Sequence, residues 1–271
     1  MQGNSHYLSN SELTEEINQC KYTFCEFTDP KYKRYDFIVD ENGPEGIFGT
    51  TLVKTGKKDE DDNWIMEEWS VIERAKFFHA KRNKCDKDDI KISDLVFRIM
   101  CDEHIPEKPN GKTGEKVKTN FPPFKHYVIT DLEKQEYEEV GKSHSKDGEY
   151  CVSHGKISDR LARMFMLLID KYGNRYNWRG YSYLDDMKGQ ARLQLSKVCL
   201  MFNEAKNQER PNPFAYYTTT IQRCFSSVLK DEKKVSELRD ELLMAADRNP
   251  SNGAQLEHEQ AYRDKYNSDD Y

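Results

Sequence analysis

The chain has 271 residues, a formal net charge of −6, 33% charged residues and 36% hydrophobic residues, which allows one or two water-soluble domains. No apolar run is long enough to cross a membrane, and no signal-peptide-like segment is present, so neither a membrane-spanning nor a secreted protein is expected. The seven cysteines show no disulfide-framework spacing, and this indicates a reducing cytoplasm.

The first predicted element is a short helix over residues 9–21. Ser9 and Glu12 have the spacing of a capping box, in which each side chain satisfies the backbone N–H group of the other. We therefore assign residues 1–21 to an N-terminal helical segment.

Residues 22–140 are predicted to form an acidic α+β insert whose role the sequence does not indicate. Aromatic and β-branched runs separated by Gly and Pro favour strands, and apolar residues at helical spacing favour helices. Strands are predicted at 35–39, 47–53 and 127–129, and helices at 64–82 and 88–103.

Two short Cys-x-x-His pairs, Cys101 with His104 and Cys151 with His154, have a spacing that a four-ligand zinc site permits. Each pair is short and common in sequences, so two unrelated pairs are the favoured interpretation. We expect no metal and no other cofactor.

Residues 141–245 are predicted to form a compact domain of three helices, followed by a flexible polar tail at 246–271. Ser158 is the predicted N-cap of the first helix, the second starts near Ser182, and the third begins at Pro213, a residue suited to the first helical turn. Apolar residues recur at helical spacing in all three. The predicted fold class is therefore mainly α, a three-helix unit with an α+β insert upstream.

The charge of this stretch is opposite to that of the whole chain. Residues 156–234 contain 15 Lys and Arg and 8 Asp and Glu, a net charge of +7, so the remainder carries −13 within the total of −6. A basic helical unit in an acidic protein indicates a polyanionic partner. A solvated helix surface that happens to be basic explains the composition equally well.

Two motifs carry a family resemblance. The run Asn212-Pro213-Phe214-Ala215-Tyr216-Tyr217-Thr218-Thr219 resembles the start of the promoter-reading helix of sigma factors, with Arg223 following, and Trp178-Arg179-Gly180-Tyr181 leads into an Arg-Gly-x-x-x-Leu-Asp pattern that resembles their polymerase-binding helix. Together they resemble the late-transcription sigma factors of T-even-type tailed phages, especially those of cyanobacterial phages. The resemblance covers about residues 140–260 well and about residues 5–20 weakly.

Three departures stand against that resemblance. Housekeeping sigma factors carry paired Trp residues where this chain has Thr220 and Ile221, and Gly189-Gln190 replaces a usual acidic residue. The spacing between Asp185 and Phe202 also differs by one residue, so the register of the second helix is open by one.

The resemblance implies a helical domain like the second domain of sigma factors and two sets of site residues. It implies promoter DNA and host core RNA polymerase as partners, the latter through the clamp coiled coil of its largest subunit, in the cytoplasm of the infected bacterial host. A phage co-activator as a further partner is left open. Periodicity favours Tyr216 over Tyr217 for DNA contact, whereas the resemblance favours both. The expected DNA-binding residues are Trp178, Arg179, Phe214, Tyr216, Tyr217, Thr219, Thr220, Gln222, Arg223, Ser226, Ser227, Lys230, Lys233 and Lys234. The expected polymerase-binding residues are Leu184, Asp185, Asp186, Gln190, Leu193, Gln194 and Lys197.

Other classes of function are open to the same sequence. A co-activator or anti-sigma regulator would bind polymerase without reading a promoter. An enzyme is not expected, because no nucleophile–His–carboxylate set or metal cluster of a nuclease stands out. The insert is expected either to lie on the polymerase surface or to mimic DNA, or else to be a solvated decoration. The segment 261–271 lacks the aliphatic anchors needed to bind a sliding clamp.

Overall fold

The computed structural model of the chain describes residues 8–39, 43–58, 62, 64–256 and 259–260. The terminal segment 261–271, for which a lack of clamp binding is predicted, lies outside the described residues. The helices are α1 Asn10–Tyr22, α2 Val71–Asn83, α3 Asp159–Gly173, α4 Leu184–Val198 and α5 Pro213–Ala245. The strands are β1 Cys25–Phe27, β2 Phe37–Val39, β3 Thr50–Lys58, β4 Trp64–Ser70, β5 Val96–Met100, β6 Phe124–Asp131, β7 Glu136–Ser143, β8 Ser145–Lys146 and β9 Glu149–Tyr150.

The largest sheet among the described residues has five strands in the order β1-β7-β6-β5-β2. β2 runs parallel to β5, with Ile38 opposite Arg98, and the other neighbours are antiparallel. β5 lies inside the sheet and its first four residues are buried, as expected for a strand covered on both faces. One face packs against α2, where Ala75 and Val71 meet Phe97 and Leu95 in a continuous apolar core.

The predicted mainly α fold class is wrong, because the chain is mixed α/β. Of the described residues, 48% are helical and 19% lie in strands. The insert accounts for the difference. Residues 64–70 form β4, which pairs with β3 as an antiparallel ribbon, and helix α2 starts only at Val71. The predicted helix at 88–103 is a short 3-10 turn followed by β5.

Several predicted elements are confirmed. The capping box of α1 is present, with both the Ser9 and the Glu12 hydrogen bonds formed. The Ser158 hydroxyl accepts a hydrogen bond from the Leu161 N–H at 3.0 Å, as an N-cap does. The three helices of the basic stretch appear as α3, α4 and α5, and the predicted strand at 127–129 lies within β6.

The chain divides into two compact units. One contains Met1–Met164 and Val198–Tyr216, and the other contains Phe165–Lys197 and Tyr217–Tyr271. The first holds the sheet, α1, and the segment that leads into α5. The second holds α4 and most of α3 and α5. The unit boundaries therefore fall within helices α3 and α5.

Candidate nucleic-acid interface

The start of α5 is fixed by hydrogen bonds from side chains. The Asn212 carboxamide accepts from the Ala215 N–H at 2.9 Å, which is the role of an N-cap residue. Asn10 of α1 accepts from the Phe214 N–H at 3.1 Å. Pro213 has no N–H group to satisfy in the first turn. The N–H groups of Phe214 and Ala215 therefore have acceptors within the protein.

The inner face of α5 is held by aromatic packing within the second unit. Tyr217, Ile221 and Phe225 are fully buried. The Tyr217 ring lies 4.7 Å from Phe165, and Phe225 lies 5.2 Å from both Tyr172 and Trp178. Rings packed at such distances define one rotation of the helix about its axis, and this rotation determines which residues face solvent.

The outer face of α5 carries the polar stripe that the sequence predicts. Six of the predicted DNA-binding residues follow one another at intervals of three, one, three, one and three, so they lie along one side of the helix. They line a shallow surface depression: Thr219, Gln222, Arg223, Ser226, Ser227 and Lys230. Lys233 and Lys234 are exposed on the following turn. Hydroxyl, amide and cationic groups are therefore presented together on a helix surface.

Four other predicted DNA-binding residues are placed differently. Trp178 and Tyr217 are buried, and in this structure they belong to the core that supports α5. Phe214 and Tyr216, at the start of the helix, are 37% and 38% exposed. The exposed Tyr216 and buried Tyr217 agree with the periodicity of the helix.

The remaining two members of the predicted set lie beside the stripe. Thr220 is half-buried. Arg179 is exposed and donates a weak hydrogen bond from Nε to the Asn174 carbonyl at 3.4 Å. Neither lines the depression on α5.

The predicted polymerase-binding face lies on α4. Asp185, Asp186, Gln190 and Lys197 are exposed, and Leu184 and Gln194 are half-buried. Opposite them, Met187, Ala191 and Leu195 are buried.

Leu193 is the apolar residue on the solvent face of α4, where its side chain is 60% exposed. The neighbouring cations of α4 are directed elsewhere, since Lys188 and Arg192 contact the Asp170 carboxylate of α3 at 3.4 and 3.7 Å. An exposed leucine flanked by carboxylates and amides is a suitable surface for a protein partner.

A buried polar network, which no sequence motif marks, holds the segment before α5. Glu204 is buried and accepts hydrogen bonds from the Asn18 amide at 3.0 Å and from the Tyr35 hydroxyl. Lys21 and Arg98 place their cationic groups 3.7 and 4.0 Å from the same carboxylate. One carboxylate therefore links α1, the insert and the segment before α5.

Burial changes the proton affinities in this network. Removal from water lowers the pKa of Lys21 to about 8, although Glu204 opposes the shift. Burial also raises the pKa of Tyr22, whose hydroxyl accepts from Arg98, to about 12. The Arg98 guanidinium carbon lies over two rings, 3.8 Å from the Tyr35 centroid and 3.9 Å from the Phe124 centroid. The Arg98 charge is thus stabilised by stacking as well as by Glu204.

The next residues of the same segment are bound by the insert. The Gln208 carboxamide accepts from the Ile38 N–H at 2.8 Å and donates to the Ile38 carbonyl at 2.5 Å. Arg74 of α2 contacts Glu209 at 2.5 Å. No sequence motif marks these partners, because they are separated by 135 to 170 positions along the chain.

The two Cys-x-x-His pairs are the residues that the sequence offers as zinc ligands. No group of three or more His, Cys, Asp or Glu residues suited to a metal ion occurs among the described residues, and all seven cysteines are free thiols. His104 Nε2 instead hydrogen-bonds the Ser143 carbonyl at 2.9 Å. Within the described part of the chain, no helix is both long and apolar enough to cross a membrane.

The geometry thus presents a basic polar stripe on α5 and a mixed surface with an exposed leucine on α4. A search of protein-family models, of curated proteins and of solved structures found no match to this chain.

Proposed function

We propose that this protein is a sigma-like transcription initiation factor of the phage late type, which binds host core RNA polymerase and directs it to a promoter element near the start site. The observation that carries the proposal is the polar stripe of α5, where six residues suited to contact DNA line one face of the helix, five of them exposed and Ser226 half-buried. The motifs that resemble sigma factors lie at the beginning of this helix and just before α4.

The stripe contains groups for both kinds of DNA contact. Arg223 and Lys230 carry the charges that bind phosphates and provide affinity and position. Gln222 and Ser226 carry amide and hydroxyl groups that hydrogen-bond base edges and provide specificity. The neighbouring turn adds Lys233, which is exposed.

Polymerase binding is assigned to the exposed face of α4. Leu193 supplies an apolar anchor, and Asp186, Gln190 and Lys197 supply a polar rim. Such a division between anchor and rim is typical of protein interfaces. The proposal places polymerase contact and DNA contact on different helices.

The insert has a supporting role in this proposal. Gln208 and Glu204 bind the segment before α5 to β2, Tyr35 and Arg98, and so hold the first turn of the DNA-reading helix. A deletion joining residue 21 to residue 141 removes these partners, and we expect it to lose promoter-specific initiation. Normal transcription by that variant would leave the insert as a decoration.

The deciding experiment is run-off transcription from phage late promoters with bare host core polymerase. We expect the protein alone to confer a defined start site. Stable binding to core polymerase without start-site selection would instead identify a co-activator or an anti-sigma regulator.

Two matched variants test the DNA-reading stripe. Arg223→Gln should weaken initiation at all promoters by about tenfold and reduce its salt dependence, because a phosphate contact is lost. Arg163→Gln removes an exposed cation of α3 and should leave initiation unchanged. Equal effects of both changes would exclude a specific role for the stripe.

A further inference from the structure

The apolar repeat on the inner face of α5 continues beyond the part of the helix that packs in the core. Its apolar residues alternate at intervals of four and three, from Tyr217 through Ile221, Cys224 and Val228, and this pattern is the repeat of a coiled coil. The first three of these residues are buried and Val228 is half-buried. The same repeat then continues along the exposed half of the helix.

Three large apolar side chains occupy this continuation. Val235 is 63% exposed, Leu238 is 59% exposed and Leu242 is 64% exposed, with the intervals of three and four preserved. Asp231 occupies the preceding seam position and Ala245 the following one. We call residues 231–245 the exposed seam.

The residues that follow α5 fold back onto a different side of the helix. Ser251 donates to the Asp240 carboxylate from its N–H at 3.1 Å and from its hydroxyl at 2.6 Å. Asp240 is buried, and it lies two positions from Leu238 and two from Leu242, away from the seam. This contact leaves the exposed seam open.

The charges beside the exposed seam have a distinct order. Glu232 and Arg239 lie on one flank, and Lys234 and Glu241 lie on the other, in the positions that determine partner and orientation in coiled coils. If two copies paired in parallel, Lys234 of one would face Arg239 of the other, and like charges would repel.

Antiparallel pairing gives the opposite result. When Val235 faces Leu238 of a second copy, Glu232 faces Arg239 and Lys234 faces Glu241. Both contacts occur twice by symmetry. Four attractive pairs therefore flank the central apolar layers.

The register is also selected by charge. A slip of one heptad toward the C-terminus places Arg239 against Arg239 and Glu241 against Glu241 of the second copy. A slip toward the N-terminus places Glu232 against Glu232 and Lys234 against Lys234. Among these antiparallel registers, one pairs only opposite charges, as in coiled coils that specify their partners by excluding alternatives.

We propose that the exposed seam pairs antiparallel with the same seam of a second copy, in the register that places Val235 opposite Leu238. In this register Val235 and Leu238 form the central apolar layers, and Leu242 lies opposite Asp231 of the second copy, so the dimer is weak and its population depends on concentration. Arg239 is available for the contact, because its side chain is 60% exposed and its contacts with Ser236 and Asp240 are long, at 3.3 and 3.4 Å. The six residues of the DNA-reading stripe lie on another side of α5 and stay free in the dimer, whereas Lys234 takes part in the dimer contact.

Sedimentation equilibrium of the full chain at low salt tests the proposal over a roughly 100-fold range of concentration. We expect a monomer–dimer equilibrium that Leu238→Gln abolishes while circular dichroism stays unchanged. A monomer at every concentration would overturn the proposal.

Charge variants test the orientation. Arg239→Glu should raise the dimer dissociation constant on the order of tenfold, since two attractive pairs become repulsive, whereas parallel pairing predicts a lower constant. The double variant Glu232→Arg with Arg239→Glu should restore wild-type association. Glu237→Arg, off the seam, is the matched control and should have little effect. Tighter association of the Arg239→Glu variant, or failure of the double variant to recover, would refute the antiparallel arrangement.

Discussion

Replacing Glu204 by Gln should destabilise the protein far more than the same change at Glu209. In both cases a carboxylate becomes an amide of nearly the same shape. Glu204 is buried between Lys21 and Arg98, which are both buried as well. Without its charge, the two cations remain in the interior with no anion beside them.

The magnitude follows from burial. Breaking a buried ion pair by removing one partner destabilises by about 3–5 kcal/mol. At Glu204 the retained amide oxygen can still accept from Asn18, so we expect the free energy of unfolding to fall by about 3 kcal/mol, the lower end of that range. Glu209 is 48% exposed where it meets Arg74, whose own side chain is 9% exposed. Water screens this pair from the carboxylate side, so the Glu209 change should cost about 1 kcal/mol.

The dependence on pH provides a further check. Burial lowers the pKa of Lys21 to about 8 in the wild type, and loss of the Glu204 charge should lower it further. As the pH rises from 7 toward 9.5, Lys21 in the variant releases its proton and the unpaired charge disappears. The deficit of the Glu204→Gln variant should therefore shrink over that range.

The assay is urea denaturation of both variants and the wild type at pH 7 and at pH 9.5. Tryptophan fluorescence and circular dichroism monitor the unfolding. A loss below about 1 kcal/mol for Glu204→Gln, or equal losses for the two variants, would refute the assigned role of the network. A deficit that grows with pH would refute the assignment of Lys21.

Further predictions concern the rest of the chain. Burial lowers the pKa of His144 to about 4, below its value of about 6.5 in an unfolded chain. The neutral histidine should therefore contribute about 3 kcal/mol to the free energy of unfolding above pH 6.5, and this contribution should be lost progressively down to pH 4. In an acid titration, the free energy of unfolding of His144→Gln should fall less steeply with decreasing pH than that of the wild type. Phe225→Ala should destabilise by about 3–5 kcal/mol, whereas Ser227→Ala on the outer face of the same helix should change the free energy of unfolding by less than about 0.5 kcal/mol, as measured by thermal melts. Reversing the charges of Asp185 and Asp186 should weaken association with core polymerase by roughly 1–3 kcal/mol if they lie in a desolvated contact, and unchanged binding of the folded variant in a pull-down would contradict that.

The helices of the basic stretch could be predicted because their signals are local. The Ser158 cap, Pro213 and the apolar spacing lie within the elements that they specify. The continuation of α5 to Ala245 has a local signal as well, since Val235, Leu238 and Leu242 extend its apolar pattern.

The insert could not be predicted in the same way because its strands pair over long distances. Val96 and Ile99 of β5 fit a helical period, yet the strand is buried between β6 and β2, and β2 lies about sixty positions earlier. Periodicity cannot distinguish a strand buried on both faces from a buried helix. The partners of Glu204 are non-local as well.

The contact between Gln208 and Ile38 affects how readily the sheet can aggregate with another chain. β2 is the last strand of its sheet, and a terminal strand with free N–H and C=O groups is a template on which another chain can add and begin aggregation. The Gln208 carboxamide forms hydrogen bonds with both the N–H and the C=O group of Ile38. These are the two bonds that one residue of an added strand would form. At Ile38, this glutamine thereby blocks β2 against intermolecular strand addition.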